Sequence, residues 1–364
     1  MWLRIEPRPE PSMLTAYLSP LVAVALTLLT GLLFSSFIGA NALEAFHAFF
    51  IAPIDDLYGL GELGVKAAPL MLIAMGLAIG FRANVWNIGA EGQLTLGAIC
   101  GGGVALLFYE SDSGWVLPLM IVAGALGGMA WASIPAFLRT RFNTNEILVS
   151  LMLNYVAVLL LSYLVHDPWR DPDGFNFPES RLFADNALLP IILEDTRLHA
   201  GLVIALIAVV LGWIFVRKSF VAFQMQVAGM ADPAALYAGF KRRRMVWVGL
   251  LVGGAAAGLA GVSELAGPIG QLLPSISPGY GYAAIIVAFV GRLHPLGILL
   301  ASLLMSLFYL GGETAQMNLG LPSAITGVFQ GILLFYLLAA DLFINFRLRI
   351  PARRQAPVLR QATS

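Results

Sequence analysis

The sequence predicts an all-α, polytopic membrane protein. About ten transmembrane helices form two inverted pseudo-repeats with broken helices, and both termini lie in the cytoplasm. Three observations lead there. The chain is 59% hydrophobic, with a mean hydropathy of +0.83. Only 12% of its 364 residues are charged, against roughly 25% in a soluble domain. Those charges fall between apolar runs. A charge at the bilayer centre costs about 2.5–3.5 kcal/mol on insertion scales, and a helix crosses the hydrocarbon in roughly 20 residues. No stretch is long or polar enough to form a separate soluble enzyme domain.

Residues 1–16 form a charged, proline-containing tail. The first run, Tyr17–Gly39, exceeds the 7–15 apolar residues of a signal peptide and lacks a small-residue cleavage site, so it is a retained helix. Gly61–Phe81, Ile88–Tyr109, Trp115–Leu138 and Ile147–Val165 follow. An external loop at 166–199 is rich in turn formers, which suit either a tether or a docking site for an external partner. Ala200–Val216 leads into a cytoplasmic loop at 217–244, and Met245–Ser263, Ala283–Gly291, Leu296–Leu310 and Pro322–Ile344 complete a transmembrane region of 17–344. Arg292, His294 and Pro295 separate two short runs. They fit a loop better than a membrane interior; merging the runs would give nine helices. Residues 345–364 form a C-terminal tail.

With ten helices and a cytoplasmic N-terminus, 17 of the 21 basic residues fall on cytoplasmic segments, as the positive-inside rule requires. Only Lys66, Arg170, Arg181 and Arg197 lie near or beyond the outer face, where Asp55, Asp56, Asp167, Asp171 and Glu179 also gather.

Runs two to five and seven to ten make two blocks that start from opposite sides, the layout of an inverted repeat. Early in each block an apolar run is interrupted, by residues 80–93 in the first and by Gly267–Tyr282 in the second. Interrupted segments at matching places point to a substrate pathway, because irregular backbone at membrane depth persists only against protein or a water-filled cavity. The first interruption carries Asn84, Trp86, Asn87, Glu91 and Gln93. The second region carries Glu264, Gln271, Tyr280 and Tyr282. Amides bond a neutral polar ligand and aromatic faces stack on a flat ring. Equally, the glycines would permit close helix packing and the amides would bond neighbouring backbones. Asn145, Glu146, Asn154 and Tyr155 form a weaker cluster, of which capping explains the first two as well as transport does.

In the loop at 217–244, Asp232 suits a cap, Pro233 a first helical position and Gly239 a terminator, so Ala234–Ala238 forms a short surface helix. The following Lys241–Arg244 abuts an apolar run and is a topology anchor rather than a nucleic-acid site. No lysine follows a glycine, so the chain has no P-loop, and ATP with its magnesium must bind a separate subunit if ATP drives it. The four scattered histidines make no metal site and the sequence implies no bound cofactor. No Ser/His pair, His-Glu-x-x-His run or paired intramembrane Asp supports an intramembrane enzyme. A proton-driven carrier would rely on Glu91, Glu146 or Glu264, each near a run's end.

Phe81-Arg-Ala-Asn-Val-Trp-Asn-Ile-Gly-Ala-Glu-Gly-Gln93, Asn145-Glu-Ile-Leu-Val-Ser-Leu-Met-Leu-Asn-Tyr155, residues 229–239 and Ser277 through Gly297 carry a resemblance across about Gly61–Leu342. The chain resembles the membrane permease subunit of ATP-binding-cassette importers, in the branched-chain amino acid and simple-sugar permease superfamily. The nucleoside branch, linked to basic membrane lipoproteins, is most similar. Trp86 and His294 depart from that branch's usual residues. The resemblance implies a subunit without enzymatic activity in a cell inner membrane, moving nucleosides of purine type by alternating access. It implies a second permease, identical or not, two cytoplasmic ATPase subunits and an external substrate-binding lipoprotein. It further implies that Ala231, Asp232, Pro233, Ala234, Ala235, Leu236, Tyr237, Ala238 and Gly239 form the coupling helix seated on the ATPase. Simple sugars are the alternative substrate.

Overall fold

The computed structural model describes residues 4–7, 13–37, 42–320, 322 and 324–349. Residues 1–3 and 8–12 of the N-terminal tail and 350–364 of the C-terminal tail lie outside them. Thirteen α-helices and one small ribbon make up the described chain. The helices are α1 (Met13–Phe37), α2 (Ala42–Phe50), α3 (Leu57–Arg82), α4 (Ala90–Leu107), α5 (Val116–Phe142), α6 (Glu146–His166) and α7 (Gly201–Lys218). They continue with α8 (Phe220–Met230), α9 (Asp232–Tyr237), α10 (Arg242–Glu264), α11 (Tyr280–Val290), α12 (Pro295–Leu319) and α13 (Ala324–Asn345). Within the described residues, each apolar run of the sequence falls largely on a helix. Among the described residues eight helices, α3 to α7, α10, α12 and α13, are long and apolar enough to cross a membrane.

Local chemistry sets the helix boundaries. Asp56 accepts the Gly59 N–H at 2.6 Å and opens α3. Asn145 accepts the Ile147 N–H at 2.9 Å and opens α6, satisfying a donor that the first turn leaves free. Asn143 ends α5 in the left-handed conformation at φ 54°, and an ion pair from Arg139 to Glu146 joins the two helices. Arg292 and Leu293, at φ 57° and 53°, turn the chain between α11 and α12. That turn keeps the two short runs apart as separate helices, α11 and α12.

Helix α10 lies at the centre, against α3, α4 and α5. It approaches them through glycine. A Cβ on Gly254 would stand 2.6 Å from that of Ala132 on α5, and one on Gly249 would stand 3.0 Å from Gly80 Cα on α3. Gly97 of α4 abuts the Gly258 backbone. Small residues four apart let backbones meet without intervening side chains, which in lipid replaces the hydrophobic drive for helix association. Beyond this centre, α3 also touches α11 and α12, just as α10 touches α4 and α5.

The basic ends of α3, α5, α7 and α11 share one face with the starts of α6, α10 and α12; the loop at 166–199 occupies the opposite face. That loop is no free tether. Ser180 donates to the Leu272 carbonyl at 3.0 Å, Phe183 to Gly270 at 2.8 Å and Leu189 to Ala266 at 2.8 Å. It is laced to the segment between α10 and α11. At the chain ends, β1 (Arg4–Pro7) and β2 (Phe346–Arg349) pair antiparallel, Arg4 opposite Arg349 and Pro7 opposite Phe346. Both ends therefore emerge together.

Candidate functional site: two broken crossings

After α3 reaches the basic face, the chain turns through Asn84 at φ 53° and climbs back along α6 before α4 begins. The Trp86 N–H donates to Glu146, the first residue of α6, at 3.4 Å. Further up, Asn154 donates from Nδ2 to the Ile88 carbonyl at 3.0 Å, and its Oδ1 accepts the Gly92 N–H at 2.9 Å. Asn154 lies eight residues beyond Glu146, about 12 Å at the helical rise. Helix α4 thus starts at depth.

Helix α11 starts at depth from the other side. A π-helical turn at Leu265–Ile269 ends α10, Gly270 and Gly279 take φ of 76° and 98°, and the intervening chain descends without regular structure. The 11 residues of α11 span only about 16 Å. Its Gly281 N–H donates to Glu91 Oε2 at 2.7 Å. A Cβ on Gly281 would lie 2.6 Å from Glu91 Cα, so the first turns of α4 and α11 press backbone to backbone. Glu91 thus places its carboxylate at two helix N-termini, where free N–H groups and the positive dipole end stabilise an anion.

The sequence-predicted residues divide among several places. Glu91, Asn154 and Tyr282 meet at the junction, with the Asn154 Nδ2 donating to the Tyr282 hydroxyl at 3.0 Å. Asn87 and Gln93 are buried beside it and bond one another: Asn87 Nδ2 donates to Gln93 Oε1 at 2.8 Å and Gln93 Nε2 to Asn87 Oδ1 at 3.0 Å. Asn87 Oδ1 accepts the Gly89 N–H as well. Both amides are thus bonded to each other and to the backbone. Asn84 and Trp86 stay near the basic face, Trp86 Nε1 donating to Asn84 Oδ1 at 2.7 Å while its ring packs on Phe81 and Phe289, centroids 5.1 and 5.7 Å away. Tyr155 is exposed on α6 and does not join them. Gln271 lies in the opposite half, its Nε2 donating to Glu179 at 3.0 Å. Glu264 is buried there, with Oε2 lacking a hydrogen-bond partner, and Tyr280 stands edge-on to Tyr309 at 5.4 Å.

Two ion pairs brace that half. Arg197 grips Glu62 through two bonds of 2.8 and 2.6 Å, which raises the guanidinium pKa above its ordinary value. Lys66 meets Glu313 at 2.8 Å. Nearby in the loop, burial pushes His199 down to about 4, against the opposing pull of the Glu62 charge.

A cavity of about 450 Å³ opens at the same end, between α12, α13 and Pro278. Tyr309, Glu313, Gln316, Thr326 and Gln330 line it. Sequence reasoning missed all five. The ninth apolar run ends at Leu310, yet α12 continues past Glu313, Thr314, Gln316 and Asn318 to Leu319; a helix outlasting its apolar part was the available signal.

On the loop at 217–244, α9 spans Asp232–Tyr237 rather than Ala234–Ala238. Asp232 does not cap it; its carboxylate bonds Arg242 at 3.0 Å instead. Gly239 ends it at φ 78°, with the Phe240 N–H returning to the Ala235 carbonyl at 2.9 Å. Leu236 and Tyr237 are exposed, Tyr237 to 96%.

Residues 59–338 match the family described as branched-chain amino acid transport system / permease component. Among curated proteins, the chain is 34% identical to a glucose ABC transporter permease protein of Haloferax volcanii, over 97% of this chain and 95% of that one. It is 29% identical to a guanosine ABC transporter permease protein of Bacillus subtilis, over 92% and 96%. A nucleoside ABC transporter permease protein of Lactococcus lactis is 28% identical, over 88% and 90%.

Proposed function

We propose, because this chain belongs to the branched-chain amino acid transport system permease component family, that it carries nucleosides of purine type across the cell inner membrane. It is a multi-pass membrane protein and the permease subunit of an ABC transporter, not its ATPase. The observation that carries the reading is the meeting of two broken crossings at Glu91 and Gly281. Such a junction lets one block rock against the other around a fixed centre. The contacts of α3 with α10, α11 and α12, mirrored by those of α10 with α3, α4 and α5, support an inverted repeat as its framework.

The positive-inside rule sets the basic face in the cytoplasm. There α9, with Tyr237 almost wholly exposed, is the seat for a separate ATPase subunit that binds ATP and magnesium. ATP binding closes the ATPase pair and rocks the permease between outward and inward states. A second permease covers the exposed face of α6, and an external lipoprotein delivers substrate over the loop at 166–199. Nucleosides as cargo rest on the guanosine and nucleoside relatives. The glucose relative, at 34% identity, favours a second reading, a simple-sugar permease.

Uptake of labelled guanosine and labelled glucose in cells lacking the chain, with and without its restoration, separates the two. Restored guanosine uptake that unlabelled nucleosides alone compete supports the nucleoside reading. Restored glucose uptake without guanosine uptake replaces it with the sugar reading, and no restoration of either sinks both.

A further inference from the structure

The cavity between α12 and α13 has a composition that selects a ligand. At about 450 Å³ it lies within the ~300–1,000 Å³ of small-molecule sites. Among the described residues its wall offers one carboxylate, two amides and two hydroxyls, and no Lys or Arg. Lys66, the cation nearest that carboxylate, is bound to Glu313. A phosphate or a substrate carboxylate would find no counter-charge here, so the wall disfavours anions.

Its hydrogen-bonding groups are unevenly used. Gln330 Nε2 is buried with no hydrogen-bond partner. A buried donor left unmade costs about 1–3 kcal/mol, and an oxygen in the cavity would remove that cost. Amides and hydroxyls both donate and accept, whereas a carboxylate only accepts. Vicinal hydroxyls fit such a mixture, each giving one proton and taking another, and an acidic residue holding a ribose hydroxyl is an established pairing. A flat base is less well served. Among the described residues Tyr309 is the only aromatic in the wall, and it is already in edge contact with Tyr280.

We propose that this cavity is the outer binding site of the chain and that it recognises the hydroxylated ring of an uncharged sugar or nucleoside. The inference rests on the transport reading above and adds to it the site and the part of the substrate that is read. Pro278, on the descending segment before α11, forms part of the wall, so an occupant touches the broken crossing directly. One chemistry, the polyhydroxylated ring, serves both a ribonucleoside and a hexose.

The test is protection of an engineered thiol in the complete transporter in cells. The native thiol is removed by Cys100→Ala, Thr326→Cys is introduced, and a membrane-impermeant maleimide is applied from outside. Guanosine or glucose should slow labelling about tenfold, whereas guanine and 2′,3′-dideoxyguanosine should not. Protection by guanosine alone assigns the ring to a nucleoside, and by glucose alone to a hexose; both support the site. Equal protection by the dideoxy compound, no labelling, or no protection while the unmodified chain still restores uptake overturns the inference and spares the transport reading. Failure of the unmodified chain to restore uptake of either substrate overturns that reading, and this inference with it. Gln330→Leu decides the matter if the cysteine variant does not reach the membrane. It should raise KM for uptake about tenfold with the maximal rate within about twofold, and an unchanged KM overturns the proposal.

Discussion

Glu91 shows how one side chain can hold two helices. Its carboxylate accepts the Gly281 N–H at the start of α11 while standing in the first turn of α4. Glu91→Ala leaves that buried donor unpaired, at a cost of about 1–3 kcal/mol. Glu91→Gln keeps an acceptor. Thermal unfolding of the detergent-solubilised chain should drop clearly for the alanine variant and little for the glutamine variant; equal losses would mean that the charge, not the acceptor, is what matters. His199 permits a second prediction. Its folded-state pKa, lowered to about 4 by burial against the opposing Glu62 charge, lies below the ordinary 6.5. The unfolded chain therefore binds more protons between these values. Stability should fall as pH drops from about 6.5 towards 4 and then level off. His199→Gln should flatten that part of the unfolding profile, and an unchanged profile would place the acid sensitivity elsewhere.

At the scale of the element, α9 invites a separation of transport from folding. Tyr237 is 96% exposed and Asp232 makes an exposed ion pair with Arg242, so neither contributes much to the fold. The double variant Asp232→Ala, Tyr237→Ala should abolish uptake while its amount in the membrane stays normal by immunoblot. Normal uptake would remove α9 from the motor contact. This element also shows what a sequence conceals. Pro233 and Gly239 mark the beginning and end of the short helix within two residues, because proline and glycine impose backbone geometry locally. Whether Asp232 caps or pairs with Arg242 depends on where α10 begins, which local spacing does not encode. The interrupted segments were legible for the same reason as α9. The partners of their amides were not: Asn87 and Gln93 are six residues apart and turn to one another only because the chain folds back before α4. The wall of the outer cavity was harder still, since Tyr309 and Gln330 come from different helices and neither sits in an interrupted run.

Across the molecule, the polytopic all-α architecture was plain from composition, because lipid tolerates so few alternatives; of the ten helices expected, eight among the described residues are long and apolar enough to cross a membrane. The pairing of β1 with β2 adds a constraint that charge counting only suggested: the two ends leave the same face. Reporters fused at the two termini should become accessible together, and only after the cytoplasmic side is opened. A reporter accessible from outside at either end would contradict both the ribbon and the orientation drawn from the basic residues.

The glycine contacts of α10 have a mechanical meaning. Where backbones touch directly, as at Gly254 beside α5 and Gly249 beside α3, there is no layer of pliable side chains to absorb a shift. Helices α3, α4, α5 and α10 consequently behave as a single slab. At the margins α6, α7 and α13 turn most of their surface outward, and α13 packs on α1 and α12 rather than on the slab. With α9 as the motor contact proposed above, a push there would turn the outward-facing helices about the slab as a fulcrum.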